Sequence, residues 1–200
     1  AQACGASIVL KNIYEPSETG TRIGPDTVDR TGDVKSISYV RDLSTLKVFG
    51  TGAGQKERLL SEVATALADA GISVYSSATS QTCIAFLVDA DTVGRAKKVL
   101  GRLPEDLVDR IDVLRHASLI CFVGEGLGYA HGIAARVFRA VAERGVNVQL
   151  ISAGASMVAY TFTVDDRDLD EAVRAVHREF FGHRYGAKAG EAAGVSQGVR

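Results

Sequence analysis

The sequence has no tryptophan, one methionine and three prolines in 200 residues. Its three cysteines, Cys4, Cys83 and Cys121, are odd in number and lack C-x-x-C spacing, so neither a disulfide framework nor a cysteine-held metal is expected. They lie in or beside apolar runs, which predicts buried, reduced thiols in a cytoplasmic protein. An excess of charge is missing too: 23 Lys and Arg stand against 24 Asp and Glu, a net charge of −1. That balance excludes a general nucleic-acid or membrane-surface binder, both of which need a basic excess. No apolar run approaches the roughly 20 residues of a membrane helix, and no signal or transit peptide is visible. Apolar residues are plentiful at 46%, enough for a core.

The chain also repeats itself. Gly50-Thr51-Gly52-Ala53-Gly54 falls on Gly124-Glu125-Gly126-Leu127-Gly128, an offset of 74, and Ala70-Gly71-Ile72-Ser73-Val74 falls on Arg144-Gly145-Val146-Asn147-Val148 at the same offset. Downstream the offset becomes 76, with Phe86-Leu87-Val88-Asp89 on Phe162-Thr163-Val164-Asp165, because the second copy has two extra residues in a turn. A register held this long means two copies of one unit. Each copy predicts a strand (Leu46–Phe49; Leu119–Val123), then an amphipathic helix (Leu59, Val63, Leu67; Ile133, Val137, Val141) ended by a left-handed glycine, Gly71 or Gly145. A strand follows (Ile72–Val74; Val146–Ile151), then a hairpin partner (Cys83–Val88; Val158–Val164) and a helix (Val93, Ala96, Leu100; Leu169, Ala172, Val176). Asp89–Asp91 and Asp165–Asp168 are placed to cap these second helices.

With a further strand, the order is βαββαβ, a split βαβ unit whose antiparallel sheet carries helices on one face. The fold class is therefore α+β. Residues 108–114 supply the last strand of the first copy. The second copy has none after Phe181, so residues 34–40 are expected to supply it, with the first copy (41–114) inserted into the second (115–185). The Gly-, Ala- and charge-rich tail, 186–200, is expected to be disordered.

Three alternate glycines after a strand also begin a dinucleotide fingerprint. That reading needs alternating strand and helix and an acidic residue about 20 positions on; here the next strand carries Asn147 and Gln149, and a hairpin follows. A glycine loop at a helix N-terminus can instead take the carboxylate of a small ligand such as a free amino acid. The glycines could equally do no more than relieve crowding between strand and helix.

The stretch VGEGLGYAHGIAARVFRAVAERGVNVQLIS resembles the second ACT domain in the regulatory half of aspartate kinases, and DLDEAVRAVHREFF resembles its closing helix. KNIYEPSETGTRI resembles the segment that closes the kinase lobe, with Asn12, Pro16, Gly20, Thr21 and Ile23 in the family's places. The resemblance implies two ferredoxin-like ACT domains, the first inserted in the second, preceded by the end of a kinase lobe or linker at 1–33. The family's K-[FY]-G-G-[ST] nucleotide loop is absent, so no catalytic residue is assigned; ATP and magnesium would belong to a kinase lobe acting in cis or in trans. The chain is expected to be a fragment or a separate regulatory subunit, inactive alone.

The resemblance further implies an effector, lysine or threonine, held between one domain's glycine loop and a partner domain's second strand. The loops are Gly52, Ala53, Gly54 and Gln55, and Gly126, Leu127, Gly128 and Tyr129. The strand candidates are Ser73, Val74 and Tyr75, with Ser80 and Gln81, and Asn147, Val148 and Gln149. Lysine-responsive members often carry acids on this strand and in its turn, where Tyr75, Gln81 and Gln149 stand here; threonine-responsive members often carry Gln where Ala153 stands. Effector identity therefore stays open. A homodimer through the ACT domains is implied, as is the alternative that the pair only dimerises. His131 reads as a helix-start residue, and His177 and His183 lack a third ligand for a metal. The acidic run at 165–170 is expected to cap a helix and face water.

Overall fold

The computed structural model describes residues 4–23, 34–52 and 54–192, with the backbone alone from 183 onward. The chain divides into two compact units, 1–31 and 32–200. In the smaller, β1 (Ile8–Leu10) pairs antiparallel with β2 (Thr21–Ile23). The Asn12 side chain accepts the Tyr14 N–H at 3.0 Å, and Lys11 Nζ donates to the Pro16 carbonyl at 3.0 Å, so the connecting loop is folded on itself. Gly20 has φ +71°, and a Cβ there would strike the Leu10 carbonyl, which is why this position takes glycine. Ile8, Val9, Leu10, Ile13, Tyr14 and Ile23 are all exposed. A lone two-stranded hairpin is marginal in water.

The larger unit is one six-stranded antiparallel sheet in the order β4-β5-β3-β6-β8-β7. Its spine is two 17-residue strands, β3 (Val34–Gly50) and β6 (Val108–Gly124), paired along their length. The C-terminal half of β3 also pairs with β5 (Cys83–Asp89), which pairs with β4 (Ser76–Thr79). The C-terminal half of β6 pairs with β8 (Ala159–Asp165), which pairs with β7 (Leu150–Ser152). Residues 34–40 run beside 119–124, giving the second copy the edge strand it lacks; the first copy is inserted in the second.

Each copy packs two helices over its half-sheet. In the first, α1 (Lys56–Asp69) and α2 (Val93–Leu100) bury Leu59, Val63, Leu67, Ala96 and Leu100 against Leu46, Val48, Ile84 and Phe86. In the second, α3 (Ile133–Ala142) and α4 (Leu169–Ala192) bury Ile133, Val137, Val141, Ala172 and Val176 against Ile120, Phe122 and Phe162. A fully buried Leu or Phe stabilises by about 1.5–3 kcal/mol, and each core has many. Both α1 and α3 end alike: Gly71 (φ +63°) and Gly145 (φ +70°) are left-handed, and Ile72 and Val146 donate back to the Leu67 and Val141 carbonyls.

The other faces of the half-sheets meet. Leu43, Leu87, Ala117 and Leu119 form a third buried cluster, and β4 approaches β7 although they lie at opposite ends of the strand order. The bend that permits this falls at Asp42 (φ +58°) and His116 (φ +62°), one repeat apart, where the β3–β6 register slips between Val40 and Thr45.

Several expectations are corrected. Ile72–Val74 is not a strand; β4 begins at Ser76, and β7 begins at Leu150 rather than Val146. Ile72 and Val146 are buried as the apolar follow-on of a helix cap, so their hydrophobicity reports packing and not a ladder. Cys4 is exposed and Cys83 and Cys121 are half-buried, with burial raising both thiol pKa values. The closing helix continues to Ala192, beyond residue 186 where order was expected to end; a helix already anchored by packing adds residues at little cost. Residues 193–200 lie outside the described residues.

Candidate functional site

The two glycine loops sit at opposite ends of the β3–β6 ribbon, since Gly50 pairs with Val108 and Gly124 with Val34. Each lies beside the hairpin turn of its own copy: Gly50 N–H donates to the Thr82 carbonyl at 2.9 Å, and Gly124 N–H to the Val158 carbonyl at 2.9 Å. The first loop thus neighbours Ser80 and Gln81, which a tight turn holds; Ser80 Oγ accepts the Cys83 N–H at 3.1 Å. The entries to the second strands lie at the far end of each short hairpin. There the Tyr75 N–H donates to the Leu87 carbonyl and the Gln149 N–H to the Thr163 carbonyl, matching positions of the repeat. Within each copy, then, the loop and the second-strand entry, Ser73–Tyr75 or Asn147–Gln149, stand at opposite ends of the hairpin.

The first loop runs straight into α1. Among the described residues, chain neighbours aside, no heavy atom stands within 4 Å of a Cβ placed on Gly52 or Gly54, and Gly54 has φ +93°. Gln55 is the N-cap but makes no side-chain cap bond, and its buried Oε1 has no partner among the described residues. A helix N-terminus with open glycines before it can receive an anion. Ala53 lies outside the described residues.

The second loop is held by bonds to its own chain. Leu127 is fully buried in the core, and its carbonyl accepts the Tyr160 hydroxyl at 3.2 Å. Tyr129 and Ala130 N–H both donate to the Gly126 carbonyl, and Gly128 N–H donates to the Met157 carbonyl at 3.1 Å. Helix α3 starts only at Ile133, after the left-handed Gly132, so the loop does not feed it directly as expected. Tyr129 is 74% exposed, and His131 is exposed beside the helix cap.

Around Ser73–Tyr75 the structure holds a feature that the sequence reading missed. A cavity of about 570 Å³ is lined by Arg41, Asp42, Ser73, Asp89, Asp91 and Arg95 among others. The Tyr75 hydroxyl donates to Asp89 Oδ1 at 2.9 Å, and that hydrogen bond raises the tyrosine pKa above its ordinary value. Asp89 therefore serves Tyr75 and makes no helix-cap bond, contrary to expectation, whereas Asp165 accepts the Arg167 N–H as a cap. In the second copy the acidic run does more than face water: the buried Ser118 hydroxyl donates to Asp166, and Arg41 pairs with Asp170.

A family model for the ACT domain matches residues 120–180. A bifunctional aspartokinase/homoserine dehydrogenase of Haemophilus influenzae is 32% identical over 88% of this chain and 22% of its own length. The chain thus spans about a fifth of that relative. Among solved structures, Clostridium acetobutylicum aspartate kinase superposes with TM-score 0.79 at 21% identity, over 90% of this chain and 42% of its own. The regulatory subunit of aspartate kinase from Thermus thermophilus gives 0.66 at 24%, over 74% of this chain and 97% of its own. E. coli aspartokinase III, solved with lysine and aspartate, gives 0.66 at 24%, over 82% and 36%. With the inserted tandem fold above, these likenesses place the chain in the aspartate kinase family, as its ACT regulatory region.

Proposed function

We propose that this chain senses an end-product amino acid, lysine or threonine, and inhibits the phosphorylation of aspartate by a kinase lobe in cis or in trans. The observation that carries the reading is the first glycine loop: open glycines at 52 and 54 ahead of a 14-residue helix, with the Gln55 amide oxygen buried and without a partner among the described residues. The ligand's carboxylate meets the helix N-terminus, Gln55 accepts a hydrogen bond from its ammonium, and a partner domain's second strand closes the site. Lysine in the solved E. coli aspartokinase III supports the ligand class. Regulation follows as a population shift: a ligand that binds one domain arrangement better stabilises it, a coupling of typically about 1–3 kcal/mol. The exposed apolar side chains of the β1–β2 hairpin are the surface that fits against a kinase lobe. Isothermal titration calorimetry with lysine and with threonine tests the reading; no heat from either, on protein in its assembled state, would sink it.

A second reading, a dimerisation module without effector, is favoured by the exposed Ile151 and Val158 of the β7–β8 hairpin, at the end of the strand order, where strands of a second chain can add. Sedimentation equilibrium tests the dimer, and dimers that take up neither amino acid would favour this reading. A cytoplasmic location goes with either.

A further inference from the structure

The two repeats carry the same loop, and the structure treats the copies oppositely. Gly54 of the first corresponds to Gly128 of the second, and Gln81 to Met157. In the first copy Gln81 is exposed, the space beyond Gly54 is open, and no bond joins the Gly54 N–H to the Gln81 carbonyl. In the second, the Gly128 N–H is taken by the Met157 carbonyl at 3.1 Å. A Cβ on Gly128 would collide with Met157 Cε and stand 3.0 Å from its Sδ and 3.3 Å from its Cα. The two residues by which the second turn is longer supply the slack that brings Met157 back over the loop. Methionine suits the place: its unbranched, polarisable thioether fills irregular gaps.

We propose that Met157 is a built-in occupant of the second glycine loop. Its thioether stands where a ligand's carbon atoms would lie, and its carbonyl takes the N–H that a ligand's carboxylate would take. The second repeat is thereby closed, and each chain takes one amino acid, at Gly52, Gly54 and Gln55 of the first. The stoichiometry rests on the amino-acid reading above; the closure of the second loop does not.

The test uses the whole 200-residue chain and the variants Met157→Gln, which copies the first repeat, and Gln55→Ala. Calorimetry with lysine and threonine should give one site per chain, weakened at least tenfold by Gln55→Ala. Two sites per chain, or amide shifts at Gly126–Tyr129 on binding to the native chain, would overturn the proposal. Hydrogen exchange supplies a readout that needs no effector. Met157→Gln should speed exchange of the Gly128 amide at least tenfold, with α1 amides unchanged as the control for folding. If neither amino acid binds the native chain, the sensing role fails, and the exchange result alone decides whether Met157 closes the loop. A Gly128 rate within threefold of the native one refutes the closure.

Discussion

Ser118 and Ser44 occupy the same place in the two repeats, and both are fully buried. The Ser118 hydroxyl donates to the Asp166 carboxylate. The residue matching Asp166 in the first copy is Ala90, and the Ser44 hydroxyl has no partner among the described residues. The two Ser→Ala substitutions should therefore differ in sign. A hydrogen bond to a charged acceptor contributes about 1.5–3 kcal/mol. Asp166 is only half-buried, so water recovers part of that, and Ser118→Ala should cost about 1.5 kcal/mol. Ser44→Ala removes an unpaired buried hydroxyl and should leave stability unchanged or raise it by up to about 1 kcal/mol. Ala90→Asp should give Ser44 its partner and gain about 1 kcal/mol, less if the neighbouring Asp89 and Asp91 repel the new charge. Urea denaturation at constant m, run as a double-mutant cycle with Ser44→Ala and Ala90→Asp, isolates the coupling. At this chain length 1 kcal/mol moves Tm by about 2–4 °C, so Ser118→Ala is also visible by heating. Equal costs for Ser44→Ala and Ser118→Ala, or zero coupling in the cycle, would refute the reasoning.

Other expectations follow from the same geometry. Thr45 and Thr163 are buried with hydroxyls that lack partners among the described residues, so Thr45→Val or Thr163→Val should each stabilise by about 1 kcal/mol in urea denaturation. His116 holds a left-handed φ that glycine adopts freely; His116→Gly should gain about 0.5–1 kcal/mol in thermal unfolding, and Asp42→Gly less, because Asp tolerates that conformation better. Tyr75, raised by its bond to Asp89, should ionise above the ordinary tyrosine pKa of about 10 in an ultraviolet titration, and Asp89→Asn should remove most of the shift. Because the folded pKa is the higher one, the contribution of this bond is whole below the ordinary value and is lost as pH rises through the folded value.

The repeat, both helices of each copy and the glycine caps were legible because each rests on local pattern: Leu59, Val63 and Leu67 recur as Ile133, Val137 and Val141, and Gly71 as Gly145. Ile72 and Val146 misled, since a buried apolar residue looks the same to the sequence whether it extends a ladder or follows a helix cap. Inserting the first copy in the second could be argued from a missing strand, because a split βαβ unit needs its fourth strand from somewhere.

The state of the two glycine loops was beyond such reading. The sequence carried the two-residue shift that lengthens one turn, and with it Met157, but a glycine's freedom says nothing about what occupies the space it leaves. Ser44 and Ser118 likewise look alike until the fold gives one the Asp166 carboxylate and leaves the other without a partner among the described residues. Sequence periodicity determined which elements form, because backbone propensity and amphipathic spacing act over a few residues. Tertiary structure decided which of two similar loops stays open and which buried hydroxyl finds a partner, because both depend on contacts between residues far apart in the chain.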